Sequence, residues 1–183
     1  MLIGFTGKAG VGKSTACKMV MEDLPDVKHI NFKDGLVREL KEKFPDLLEQ
    51  IAIETGGEGV DSLFSTKPPL MRTLMQNFGT DVRRKDDPDY WIEQWMKSVL
   101  ENQQFHIVCD DVRFINEANA LKKLGGTLVR ITRDDITNTG SHQSEVEMDQ
   151  IEVDVTISGV AGDHENLHKQ VRELYTPELI PTN

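Results

Sequence analysis

Gly7-Lys8-Ala9-Gly10-Val11-Gly12-Lys13-Ser14 is the stretch that decides how this chain folds. It fits G-x-x-x-x-G-K-[ST] at every fixed position. It follows the apolar run Leu2-Ile3-Gly4-Phe5 and opens a helix expected to reach about Leu24. The glycines let the backbone curl until its N–H groups face phosphate oxygens, and the helix N-terminus adds positive potential. Lys13 is placed to reach β- and γ-phosphates, and Ser14 to ligate Mg²⁺. The whole nucleotide-binding loop is Gly7, Lys8, Ala9, Gly10, Val11, Gly12, Lys13, Ser14 and Thr15. Residues 1–21 contain no acid, although the chain carries 31 acids against 21 bases.

Outward from that loop, strands alternate with helices. Val27 to Phe32, Phe105 to Cys109, Thr127 to Ile131 and a segment within Ile151 to Ile157 are the further strands. Helices are expected over Lys33–Phe44, Pro69–Phe78, Pro88–Glu101, Phe114–Leu124 and Asp163–Tyr175. Residues 45–68 have no clear period and predict a helix fragment and a mobile loop; residues 134–150 predict a polar loop. The tail after Pro177 predicts a surface strap. Strands joined by helical crossovers make a parallel sheet covered on both faces. The expected fold is therefore a three-layer α/β/α sandwich with a five-stranded parallel sheet. Such sheets bind ligands at the carboxyl ends of their strands. The 183 residues form one domain, with an acceptor-binding region at about 33–90 and a small lid at about 133–150.

Several classes are excluded. A net charge of −10 argues against a protein that coats nucleic acid by bulk charge. Cys17 and Cys109 lack CxxC spacing, so a zinc site or disulfide framework is not expected, and a reducing cytoplasm fits. No run approaches the length of a membrane span, and the first residues do not read as a signal peptide, so neither a span nor export is expected. The partners expected are small nucleotides, and the protein is expected as a monomer or homodimer.

Beyond the loop, four constellations carry chemistry. Asp110-Asp111 ends an apolar strand, the Walker B position that holds Mg²⁺ directly or through water; the plain alternative is a helix N-cap. Phe32-Lys33-Asp34-Gly35 follows the second strand, with Arg38 one turn on, where Asp34 can orient a hydroxyl or cap a helix. Along Arg72 to Arg84, about 100° per residue gathers Arg72, Gln76, Gly79 and Arg83 on one face if the helix continues. Leu70, Leu74 and Phe78 fall opposite, as a packing face. Guanidinium groups suit phosphate and an amide suits a base edge. Finally, Arg130 and Arg133 precede residues 134–154, which hold seven acids and no Lys or Arg, with His142 and Glu145 among them. Arg133 could close on a transferring phosphoryl group. The i, i+4 pair His164 and His168 sits on the last helix, away from the strand ends, where metal binding is not expected.

Taken together these strings resemble the bacteriophage-type deoxynucleoside monophosphate kinases. The likeness rests on Phe5 to Thr15, Asn31-Phe32-Lys33-Asp34, Arg72 to Gly79, Asp86-Asp87-Pro88-Asp89-Tyr90-Trp91, Asp110 to Glu117, and His142-x-Ser144-Glu145. It implies transfer of the ATP γ-phosphate to a deoxynucleoside 5′-monophosphate, with Mg²⁺, on a P-loop kinase fold with sheet order 2-3-1-4-5. Residue by residue it implies Lys13 and Ser14 on ATP and metal, where the Walker B position already puts Asp110 and Asp111. Asp34, Arg38, Arg72 and Gln76 would line the acceptor site, to which the helical face adds Arg83. Asp111 and Arg113 would sit between the two nucleotides, and Arg133 would belong to the lid. Two alternatives stay open: a small-molecule kinase of the dephospho-coenzyme A kinase type, with Asp34 as base, and a P-loop ATPase or switch.

Overall fold

The computed structural model describes residues 1–136 and 143–176. Its elements are β1 (Leu2–Thr6), α1 (Lys13–Asp23), β2 (Val27–His29), α2 (Lys33–Lys43), α3 (Pro45–Glu54), α4 (Val60–Thr66) and α5 (Pro69–Gln76). A π-helical segment (Asn77–Arg84) follows, then α6 (Tyr90–Leu100), β3 (His106–Cys109), α7 (Ile115–Lys123), β4 (Thr127–Arg133), α8 (Gln143–Gln150), β5 (Val155–Gly159) and α9 (His164–Arg172). The chain divides into two compact units, Phe32–Lys97 and the remainder.

The larger unit is the sandwich. All five strands pair in parallel in the order β2-β3-β1-β4-β5. Side chains alternate along a strand, and β1 uses that period to serve both layers. Ile3 and Phe5 are buried against Ala16 and Val20 of α1 and Leu167 and Val171 of α9. Gly4, between them, faces the other way, where a Cβ would lie 2.2 Å from Leu121 of α7. The small residue lets α7 approach the central strand. β2 is shorter than its apolar run suggests. Ile30 N still donates to Val108 O at 3.0 Å, but Phe32 already has helical angles (φ −60°, ψ −34°) and starts α2. β5 lies a few residues later than expected, at Val155–Gly159.

The smaller unit packs Leu36 and Leu40 of α2, Leu48, Ile51 and Ala52 of α3, Leu63 of α4, Met71 of α5 and Trp91 of α6 into one core. Residues 45–68, expected as a fragment and a loop, hold two helices. Pro45 begins α3, and Gly56 (φ 66°) follows its end. Each helix is too short to show a period, and local stop signals set its length instead.

In the larger unit, α9 is fastened to α1 by one carboxylate. Asp23 Oδ2 accepts hydrogen bonds from Tyr175 Oη at 2.6 Å and Arg172 Nε at 2.7 Å, and lies 2.8 Å from His168 Nε2. This gives His168 an ordinary structural partner. The Tyr175 hydroxyl first, with His168 and Arg172 behind it, holds the Asp23 carboxyl down at about 2. A depressed carboxylate stabilises the fold above its unfolded pKa, near 3.9, and loses that contribution as pH falls through its folded value. Asp23→Asn should therefore cost about 1 kcal/mol at neutral pH, given partners open to solvent. Urea melts should show the gap constant above about pH 5 and closing towards pH 2.

Candidate active site

In the larger unit, the loop after β1 is forced into its curl by contacts a side chain could not make. Gly7 has φ 134°, and a Cβ there would sit 2.3 Å from the Ile131 carbonyl oxygen. Gly12 has φ 111° and caps α1, whose first turn carries no acid. The helix thus presents an uncompensated positive end to the loop. Lys13 is buried, its Nζ donating to the carbonyls of Gly7 at 2.5 Å and Lys8 at 2.8 Å.

Beside this loop stands the end of β3. Ser14 Oγ donates to Asp110 Oδ2. The Asp110 N–H donates to Asn31 Oδ1 at 2.9 Å, and both side chains are buried. Asp111 Oδ1 accepts the Cys109 thiol at 3.1 Å. Burial, with the Asp111 charge behind it, pushes that thiol well above its ordinary range, so it stays a neutral donor. Neither aspartate is the N-cap of α7. That position falls on Phe114, and buried Glu117 closes the turn by accepting from the N–H groups of Arg113 at 2.8 Å and Phe114 at 3.1 Å. The capping alternative for Asp110-Asp111 is thereby removed. Asn31 and Glu117 were not singled out from the sequence, although both lie inside the strings that carried the family likeness.

Arg133 ends β4 against the loop. Its Nη1 donates to Gly10 O at 3.0 Å, and its Nε and Nη2 donate to Asp135 at 2.9 and 2.5 Å. The Arg133 guanidinium holds the Asp135 carboxyl below the usual carboxylate range. Arg130 has a different task. It donates to the carbonyls of Met148 at 3.0 Å and Ile151 at 2.7 Å, closing the C-terminal end of α8. Part of the expected lid, residues 137–142 with His142, lies outside the described residues, as do the side chain of Glu145 and the tail after Pro177.

In the smaller unit, Asp34 and Arg38 stand one turn apart on α2. With Val37, Lys41 and Glu42 they line an open depression of about 340 Å³. Arg38 Nη2 donates to Gln94 Oε1 at 2.5 Å. Arg72 and Gln76 are exposed together on α5, with Arg72 Nε donating to Lys67 O at 2.8 Å. The expected continuation of that face fails, because the helix widens into π geometry at Asn77. Gly79 turns inward: its carbonyl accepts Trp91 Nε1 at 3.0 Å, and a Cβ there would lie 3.0 Å from Leu36. The expected packing face shifts as well. Met71 is fully buried and Leu74, Met75 and Phe78 pack beside it, whereas Leu70, in the first turn, is 52% exposed.

Arg83 has a carboxylate of its own. Its Nε and Nη2 donate to Glu39 Oε2 at 3.1 and 2.8 Å. Tyr90 Oη donates to Glu39 Oε1, and Lys43 Nζ is 3.3 Å from Oε2. Burial pushes the Glu39 carboxyl up, but Tyr90, Arg83 and Lys43 outweigh it and hold it below the usual range. Nothing in the sequence distinguished Glu39 from the other acids of an amphipathic helix.

A parallel sheet in this order, with the phosphate loop after its central strand and an aspartate ending the next strand, is a P-loop kinase fold. The crystal structure of TT1252 from Thermus thermophilus shares it, with a TM-score of 0.52 over 98% of either chain at 14% identity. Sequence comparison is narrower. The family model for deoxynucleotide monophosphate kinase matches residues 60–171. A relative from Acanthamoeba polyphaga mimivirus that carries the same family name is 33% identical over 165 residues, spanning 82% of this chain and 83% of the relative. The chain belongs to the deoxynucleotide monophosphate kinase family, and its activity is phosphoryl transfer to a nucleoside monophosphate.

The Glu39 network makes a prediction about the smaller unit. Glu39→Gln keeps the volume but leaves Arg83 and Lys43 facing a neutral amide. It should lower stability by about 2 kcal/mol, whereas Tyr90→Phe should cost about 1 kcal/mol. Denaturant melts of both variants check the order and the size.

Proposed function

We propose that the phosphoryl donor is ATP with Mg²⁺, held by the larger unit, and that the acceptor is a deoxynucleoside 5′-monophosphate recognised by the smaller one. The observation that carries the donor half is the Ser14–Asp110 contact beside a glycine loop at a helix N-terminus. A hydroxyl and a carboxylate, completed by phosphate oxygens, form the hard oxygen donor set that Mg²⁺ takes. When bound, the ion would supply charge neutralisation at the β- and γ-phosphates. Ser14 and Asp110 would hold it, and Asp111, one residue on, would take a water-mediated place.

The chain's own residues do the remainder. Residues 7–15 offer backbone N–H groups to the phosphates. Lys13 exchanges its two loop carbonyls for β- and γ-oxygens. Arg133, parked on Gly10 O and Asp135, is within its side chain's reach of the loop and would neutralise charge on the group in transfer. Arg113, on the turn that Glu117 fixes, faces the same task. Arg38 and Arg72 would bind the acceptor phosphate, Gln76 a base edge and Asp34 an acceptor hydroxyl. Arg83 is assigned to Glu39 and supports the acceptor region from behind. A phosphate acceptor is already ionised at neutral pH, so no general base is needed; catalysis is alignment and charge neutralisation. Among the described residues no helix is long and apolar enough to cross a membrane. We place the reaction in the cytoplasm, where both substrates are found.

A coupled assay of ADP release over a panel of ribo- and deoxynucleoside monophosphates tests this reading. The right acceptor should raise turnover at least about a hundredfold over ATP alone, the scale on which positioning acts. Arg38→Ala and Arg72→Ala should each raise the acceptor KM about tenfold or more and leave the ATP KM nearly unchanged. Rapid hydrolysis indifferent to acceptor would favour an ATPase. Turnover on an alcohol acceptor alone would favour the dephospho-coenzyme A kinase type.

A further inference from the structure

The Asp110 carboxylate has a neighbour that neither the loop motif nor the family strings include. His29, the last residue of β2, places Nε2 3.3 Å from Asp110 Oδ1, while the other oxygen, Oδ2, accepts from Ser14. The sheet explains the placement. β2 lies beside β3 in parallel register, with His29 opposite Val108. Alternation then sorts the side chains of β2. Lys28 takes one face, bonded to Asn102 at 2.6 Å and lying over the Phe105 ring. Val27 and His29 take the other, where Val27 packs against the cluster that includes α1. That face holds Ser14. The Asp110 side chain is 6% exposed and the His29 side chain 33%, so the imidazole closes a nearly buried carboxylate from its open side.

From this geometry we infer that His29 is a positioning residue for the metal–nucleotide site. A slight turn of the ring would aim its Nε2–H at Oδ1, 3.3 Å away, and fix the rotation of the carboxylate, so that Oδ2 faces Ser14 and the ion the pair would hold. Asn31 holds the backbone N–H of the acid and Ser14 one oxygen, and His29 is placed to hold the other. A ligand oxygen held in place loses less freedom on binding than a rotating one, and partners of this kind typically change metal affinity 10- to 100-fold. His29 itself is not a ligand in this scheme, since Mg²⁺ selects oxygen donors.

The inference rests on the metal assignment made above, and the test separates the two. The direct readout is Mn²⁺ affinity of the protein–ADP complex, followed by electron paramagnetic resonance, with ADP affinity in excess chelator as control. His29→Ala should weaken Mn²⁺ binding about tenfold or more and leave chelator-phase ADP affinity unchanged. His29→Gln, whose amide N–H reaches the same position, should recover most of the loss. In turnover, His29→Ala should raise the Mg²⁺ concentration for half-activation and leave the acceptor KM unmoved. Should His29→Ala fail to fold by thermal melt, His29→Leu gives the same comparison with the volume kept. Mn²⁺ affinity within twofold of the parent in these variants, while Asp110→Asn weakens it strongly, would overturn the role of His29 alone. If Asp110→Asn were silent too, the metal assignment would fall with it.

Discussion

The parallel register of β1 between β3 and β4 is the constraint on which the chemistry of the larger unit depends. Gly4 pairs with Cys109 on one side and Leu128 on the other; β3 ends at that level, β1 two residues on at Thr6, and β4 runs further to Arg133. The loop that follows β1 curls back across these staggered ends, so that Ser14 meets Asp110 after β3 and Gly10 meets Arg133 at the end of β4. The approach is tight. The Gly7 position tolerates no Cβ against Ile131 O, and the Gly4 position tolerates none against Leu121. A slip of one residue would turn Ile3 and Phe5 out of the core and carry Asp110 away from Ser14.

Charge is handled the same way throughout the described residues. The protein is strongly acidic, yet its principal arginines are committed to definite oxygens. Arg133 is held by Asp135 and Gly10, Arg83 by Glu39, Arg130 by helix-end carbonyls and Arg172 by Asp23. Two of these, Arg83 and Arg130, are tied into packed structure and act on architecture. Arg133 rests on exposed partners whose exchange for a phosphate costs little, because surface pairs of this kind contribute weakly. The same distinction explains the tryptophan string. Tyr90 and Trp91 serve Glu39 and the Gly79 carbonyl, and the Tyr90 ring lies under the Arg83 guanidinium, so that sequence fixes the π-helical turn.

Features written in local chemistry were legible in the sequence. The glycine loop, the apolar strands and the aspartates after β3 follow from residue type and spacing, and they were sufficient for the parallel sheet, whose order came from the family resemblance. What escaped was set by tertiary packing. Helices α3 and α4 are each shorter than the window in which a period shows. The π-helical turn follows from the inward Gly79 and the Arg83–Glu39 pair, which no helical wheel anticipates, so Gly79 and Arg83 left the face expected of them. Glu39, Asn31 and His29 act through partners distant in the chain, whereas Glu117 closes its own helix start on Arg113 and Phe114. His29 in particular is one histidine at a strand end, and only the β2–β3 register gives it Asp110.

The central claim is that the loop after β1 and the end of β3 form one metal–phosphate site. Crystals grown with Mn²⁺ and a non-hydrolysable ATP analogue, measured for anomalous scattering, test it most directly. The account predicts one strong anomalous peak bonded to Ser14 Oγ and to phosphate oxygens, with Asp110 coordinating it directly or through one water. Lys13 Nζ should then lie on the β- and γ-phosphates instead of on the Gly7 and Lys8 carbonyls. A peak elsewhere, or an analogue bound with Ser14 still donating to Asp110 and Lys13 still on its own loop, would contradict the account.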